Sequence, residues 1–274
     1  MKDIVIFSSD LNMSFNKVFR VGLFTVISFL TISLGCAQQQ TQFLTRKITI
    51  GDKVHNYQVF LPLNWKLKKT WPVVLFLHGA GERGDDGIRQ TQEGIGPVIE
   101  KVHNDFPALV IFPQCQRGRW WTHQEMETLV LQSLETSIRD FNGDRSKVFL
   151  TGMSMGGYGT WYLAAKYPGK FAALSPICGG IVPPDGVKIP VDHPPIEKSS
   201  NPYRTMASKI GKTPVWIFHG SEDPIVSVKE SRAMAAALEA LGGIVKYTEY
   251  EGIGHNSWDK AYAEPDFFSW LLSH

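Results

Sequence analysis

Val148-Phe149-Leu150-Thr151-Gly152-Met153-Ser154-Met155-Gly156-Gly157-Tyr158-Gly159-Thr160-Trp161 is the stretch that decides how the rest of the chain reads. It begins as a short apolar, β-prone run, passes through Gly-Met-Ser-Met-Gly, and continues into Trp161-Tyr162-Leu163-Ala164-Ala165-Lys166, which has the composition of a helix. Strand, tight turn and helix in that order form the setting in which a G-x-S-x-G serine is thrust out of a sheet. Gly152 and Gly156 leave room for the neighbouring backbone in so sharp a turn. The helix that follows points amide N–H groups and the positive end of its dipole toward negative charge developing at Ser154. The pentapeptide alone is equally compatible with an inert glycine-rich turn, so the flanking chain must decide between the two.

On either side of this stretch the sequence alternates strands with helices. Upstream, Thr45–Gly51 and Lys53–Pro62 alternate polar and apolar residues, as expected of an antiparallel edge pair. Val73-Val74-Leu75-Phe76-Leu77 and Ala108–Pro113 are continuous apolar runs, the pattern of strands covered on both faces of a parallel sheet. Helices are expected at 96–104 and, from the spacing of Met126, Leu129, Val130, Leu134 and Ile138, at 124–140. Downstream, strands are expected at 171–178, 214–220 and 245–250. A capping box, Ser227-Val228-Lys229-Glu230, opens a helix through Leu241, and a helix at 265–272 closes the chain. Residues 179–211 are long, proline-rich and largely irregular, with a short helix near 203–210. Loops of that length in a compact domain are usually functional or mobile. The alternation predicts right-handed crossovers and a mostly parallel central sheet, with helices on both faces and antiparallel strands at its N-terminal edge.

At 274 residues the chain fits one larger α/β domain or two small ones, and 43% hydrophobic and 20% charged residues are ordinary for a globular protein. A net charge of +2 provides no basic stripe, which argues against a nucleic-acid partner. The N-terminus reads differently. Lys17 and Arg20 precede an apolar run from Val21 to Gly35, short for a membrane span, and then Gly35-Cys36-Ala37. Residues 1–36 are therefore expected to be a signal peptide or a lipoprotein signal with a lipid on Cys36, with a single uncleaved membrane anchor the third reading, and 37–274 the folded domain. Export follows in each case: to the periplasm, to the medium, or to a bacterial envelope through an anchor. Translation from Met1 or from Met13 fits equally. Cys115 and Cys178 are expected to be separate buried thiols or a disulfide pair.

A serine nucleophile needs a base to accept its proton and a carboxylate to orient that base. Beyond Ser154, His219-Gly220-Ser221-Glu222-Asp223 places acids just past one strand, and Gly254-His255 places a histidine just past the last strand. Serine, acid, then histidine, each on a loop after a strand, is the α/β-hydrolase order. Ser175 and Ser221 lack an elbow. Asp185 and Asp192 read as turn residues. His78 and His219, each ending a buried strand, read as structural groups behind the site, and His55, His103, His123, His193 and His274 as surface residues.

His78-Gly79-Ala80-Gly81-Glu82-Arg83-Gly84-Asp85, Gly152–Gly157, His219–Asp223 and Gly254-His255 together resemble the α/β-hydrolase superfamily over about residues 43–274. More narrowly, the chain resembles secreted carboxylesterase-like and carbohydrate-esterase-like serine hydrolases, including the polyhydroxyalkanoate-depolymerase-like and predicted-peptidase group. The resemblance implies an α/β-hydrolase fold and a serine carboxylesterase working through an acyl-enzyme. Ser154 would be the nucleophile, His255 the general base and then acid, and Asp223 its orienting acid, with Glu222 the alternative. Amides of Met155 and Ala80, or of Gly79 in place of Ala80, would form the oxyanion hole. Trp121 and Trp258 would bind substrate, with at most one ring of the Trp120-Trp121 pair facing it. An Arg83–Asp85 ion pair would pin the oxyanion loop, unless both are solvated. The implied substrates are small-molecule or polysaccharide esters bearing acetyl or feruloyl groups, and no metal or organic cofactor is implied. A peptidase of prolyl-oligopeptidase type shares the triad, and a non-catalytic binding protein on the same scaffold is the reading from another class.

Overall fold

The structure is a computed structural model that describes residues 43–63, 65–102, 106–184, 186–187 and 199–274. The expected leader over 1–36, with Cys36, lies outside these residues, as do His103, Asp185, Asp192 and His193. Among the described residues no helix is long and apolar enough to cross a membrane.

Among the described residues eight strands form one sheet: β1 (Phe43–Ile50), β2 (Lys53–Phe60), β3 (Trp71–Leu77), β4 (Leu109–Pro113), β5 (Gly143–Met153), β6 (Ala173–Ile177), β7 (Val215–Gly220) and β8 (Val245–Tyr250). Their spatial order is β1-β2-β4-β3-β5-β6-β7-β8. The β1–β2 and β2–β4 pairs are antiparallel, and every other pair is parallel. This is the mostly parallel sheet with an antiparallel N-terminal edge that the sequence pattern predicts.

The continuous apolar runs serve two layers at once. Val73, Leu75 and Leu77 of β3 face one core and Val74 and Phe76 face the other, and β4 divides its residues in the same way. The first core packs α2 (Gln124–Asp140), α3 (Met155–Lys166), α4 (Pro202–Ile210) and α5 (Val228–Ala240) against the sheet; the second packs α1 (Ile95–Lys101), α6 (Trp258–Tyr262) and α7 (Phe267–Leu272). The closing helix is thus confined to 267–272, and a further short helix lies directly after His255. Ala263-Glu264-Pro265-Asp266 separates the two, because proline disfavours helical backbone in the residue before it. Strand β5 starts five residues before Val148, at Gly143, and its pairing with β3 shifts register between Trp71 and Val73.

Helix α3, which carries the elbow, is tied to α2 through buried Glu127. That carboxylate accepts hydrogen bonds from Tyr162 Oη (2.6 Å), Lys166 Nζ (2.7 Å) and the Tyr167 hydroxyl. Burial works to raise its pKa, but these donors outweigh it and hold the group below its ordinary value.

Candidate active site

Ser154 sits between β5 and α3 with φ 54° and ψ −117°, one of three described non-glycine residues at positive φ. A side chain at such an angle is strained, and the surroundings must hold it there. They do so by close packing. A Cβ on Gly156 would lie 1.8 Å from the carbonyl oxygen of Leu77, and one on Gly152 would lie 2.4 Å from that of Gly156. No side chain fits at either position. The Ser154 amide donates to Ile177 O at 2.9 Å, fixing the turn to β6.

His255 and Asp223 arrive from loops after β8 and β7. His255 Nε2 lies 2.8 Å from Ser154 Oγ, and His255 Nδ1 lies 2.7 Å from Asp223 Oδ2. Because a carboxylate only accepts, Nδ1 carries the proton and Nε2 presents its lone pair to the serine hydroxyl. The other carboxylate oxygen, Oδ1, accepts from the amides of Ile225 (2.8 Å) and Val226 (2.9 Å). Burial pushes the Asp223 pKa up, but hydrogen bonds from His219, His255 and the Val226 and Ile225 amides prevail and keep it charged far below the usual carboxylate range. Glu222, the alternative acid, is exposed.

The end of β3 closes the other side. A Cβ built on Gly79 would stand 3.7 Å from Ser154 Cβ, so Gly79 lies against the serine, and the exposed Ala80 follows it in the chain. Met155 opens α3, where the first amides have no partner within the helix. His78, just before Gly79, is fully buried. Its Nδ1 donates to Gly79 O (2.6 Å) and its Nε2 accepts from the Cys115 amide (2.9 Å), which leaves no place for a second proton. Burial lowers its pKa to about 4.

Three expectations need correction. Trp121 does not face substrate: it is 1% exposed and its Nε1 donates to His78 O at 3.0 Å, so it buttresses the end of β3 from within the core. His55 is not a surface residue but 4% exposed, with Nε2 3.5 Å from Glu125. Glu230 forms no capping box. Ser227 caps α5 alone, while Glu230 accepts from the amides of Ile181 (2.8 Å) and Val182 (3.0 Å) and from Tyr203 Oη (2.6 Å).

Trp258 does stand at the site, partly exposed, with its ring edge-on to that of His255 at 5.5 Å. Trp120 is also partly exposed and packs edge-on against Tyr158 at 5.9 Å. Arg83 lies over Trp120, 5.3 Å from its ring centroid, rather than on Asp85. Cys115 and Cys178 are separate buried thiols, each pushed up to about 12 by burial. Sequence reasoning missed Tyr158, whose hydroxyl donates to Val182 O at 3.1 Å; the available signal was its position one helical turn beyond Ser154. It also missed that ligand atoms of Cys178, Asp223 and His255 lie within 4.8 Å of one another. The Asp223 oxygens there are already taken up by N–H donors.

Residues 49–259 match the family described as "Putative esterase". The chain belongs to this esterase family. A protein of Arthroderma benhamiae described as an uncharacterized secreted protein is 29% identical over 218 residues, covering 72% of this chain and 22% of that protein. Feruloyl esterase B of Thermothelomyces thermophilus is 22% identical over 266 residues, 87% of this chain and 88% of that enzyme. The solved structure of a thermostable esterase matches with a TM-score of 0.67 at 29% identity, over 85% of this chain and 63% of the other. This chain thus spans about a fifth of the first relative's length and under two thirds of the thermostable esterase. Sheet order, crossing helices and elbow are those of an α/β-hydrolase esterase.

Proposed function

We propose that the chain is a serine carboxylesterase that cleaves acetyl or feruloyl ester side chains of polysaccharides through an acyl-enzyme. The observation that carries the reading is the continuous relay from Ser154 Oγ through His255 to Asp223, at 2.8 and 2.7 Å. In the first half-reaction His255 Nε2 takes the Ser154 proton as Oγ bonds to the ester carbon. Asp223 stabilises the imidazolium so formed. Amides of Met155 and Ala80 receive the developing oxyanion, each donor contributing about 3 kcal/mol in the transition state. The C–O bond to the alcohol then breaks, and His255 returns the proton to the departing oxygen. Water repeats the sequence, releasing the acid and restoring Ser154.

The polysaccharide part of the reading is supported by Trp258 beside His255 and partly exposed Trp120, since indoles stack on sugars and on aromatic acids. It is supported too by the likeness to a feruloyl esterase. We read residues 1–36 as an export leader, lipidated at Cys36 or cleaved, in keeping with the basic-then-apolar pattern and with a relative described as secreted.

The test compares the parent and Ser154→Ala on p-nitrophenyl acetate, methyl ferulate, acetylated xylan and peptide p-nitroanilides. Ester hydrolysis by the parent alone is expected, with a loss of at least about a thousandfold in the variant. Undiminished turnover in Ser154→Ala refutes the assignment, and preference for the anilides converts the reading to a peptidase.

A further inference from the structure

The triad acid has a second imidazole on it. His219, the penultimate residue of β7, is fully buried, and its Nε2 lies 3.1 Å from Asp223 Oδ2 and 2.9 Å from Val226 O. Both partners are acceptors, since the carboxylate is held charged and a carbonyl has no proton, so Nε2 must donate. The opposite nitrogen, Nδ1, lies 2.7 Å from Ser231 Oγ, a buried hydroxyl on α5. With Nε2 protonated, Nδ1 accepts from Ser231. One tautomer of neutral His219 satisfies every contact; the two acceptors at Nε2 set it, and Ser231 holds the opposite edge of the ring.

The geometry defines what this ring does. Asp223 Oδ2 is shared by two N–H donors, His219 at 3.1 Å and His255 at 2.7 Å, while Oδ1 takes the two amides of its own turn. His219 also grips Val226 O, the far end of that turn. The carboxylate cannot rotate about its Cβ–Cγ bond without breaking a bond at each oxygen. Removing the His219 donor would leave Oδ2 anchored only by His255, the group whose orientation it has to set.

We propose that His219 is a positioning residue for the relay: its Nε2–H, fixed by the two acceptors it faces while Ser231 holds the other edge of the ring, clamps Asp223 so that Oδ2 meets His255 Nδ1 at a single angle. This inference rests on the esterase reading and adds to it a member that does not touch substrate. It differs from a purely structural role because a clamp on orientation affects turnover in folded molecules, whereas a packing role affects only how many molecules fold.

The experiment uses the full chain with p-nitrophenyl acetate, and normalises kcat to the folded fraction measured by circular dichroism. In His219→Gln the amide nitrogen reaches about as far as Nε2 and keeps the donor; in His219→Asn it falls short. The expected result is kcat near the parent value for His219→Gln and a fall of about tenfold for His219→Asn, with KM unchanged in both. Should His219→Asn not fold, Ser231→Ala, which removes the hydroxyl that holds the far edge of the ring, is expected to lower kcat several-fold at unchanged KM. Equal kcat in the Gln and Asn variants, or an undiminished kcat in Ser231→Ala, overturns the clamp. A parent chain that neither hydrolyses the ester nor reacts with a fluorophosphonate at Ser154 sinks the esterase reading instead, so the two failures are distinguishable.

Discussion

Replacing His78 by asparagine should flatten the acid dependence of stability. In the folded chain His78 is neutral, because the Cys115 amide occupies Nε2 and Gly79 O takes the proton on Nδ1. Burial lowers its pKa from 6.5 to about 4. The unfolded chain accepts a proton below about pH 6.5, and the folded chain only below about 4. In that window the unfolded state binds more protons, so stability falls as the pH drops and is constant again below it. At about 1.4 kcal/mol per pH unit the difference comes to about 3 kcal/mol, a large share of the stability of a typical domain. Urea unfolding followed by tryptophan fluorescence, at intervals from pH 7 to pH 4, measures it. His78→Asn will be less stable at pH 7 but should lose about 3 kcal/mol less than the parent on acidification, with carboxylate contributions cancelling in the comparison. Parallel loss in the two proteins would refute the argument. His78 immediately precedes Gly79, which lies against Ser154, so its bonds also hold the end of β3 at the site.

Gly156→Ala places a methyl group 1.8 Å from Leu77 O, and the elbow cannot absorb it. We expect insoluble or unfolded protein, checked by expression yield and circular dichroism; a normally folded variant contradicts the packing described. Trp121→Ala and Trp258→Ala should separate cleanly. The first removes a core side chain and should cost about 3–5 kcal/mol of stability in urea melts. The second should leave stability nearly intact and lower kcat/KM for methyl ferulate relative to p-nitrophenyl acetate by about fivefold. A reversed pattern would place the rings the other way round.

Features encoded within a few consecutive residues were legible from sequence. The strand runs, the Gly-x-Ser-x-Gly turn and the two post-strand loops carry their own chemistry, and the fold brings Ser154, Asp223 and His255 together as their order implied. What was not legible depends on which distant element covers a side chain. Trp120 and Trp121 are adjacent and chemically identical. Only the packing of α2 and α3 on the sheet decides that Trp121 enters the core while Trp120 stays partly exposed. His55 has the alternating placement of a half-exposed strand, yet in β2, one strand in from the edge, the first turn of α2 covers it. Glu230 has ideal capping-box spacing, but three donors from residues 181, 182 and 203 outbid a single local amide. His219 could be recognised as structural but not as a partner of Asp223, since that depends on how the loop after β7 folds back on its own strand.

Glu230 has a broader consequence. One carboxylate on α5 grips Ile181 and Val182 where the chain leaves β6, and Tyr203 where it enters α4. Both ends of the intervening stretch are therefore stapled to a single point that belongs to the rigid framework. Loss of the Glu230 carboxylate would therefore release two distant points of the chain at one stroke, the exit from β6 and the entry to α4, while leaving the nucleophile's own turn intact.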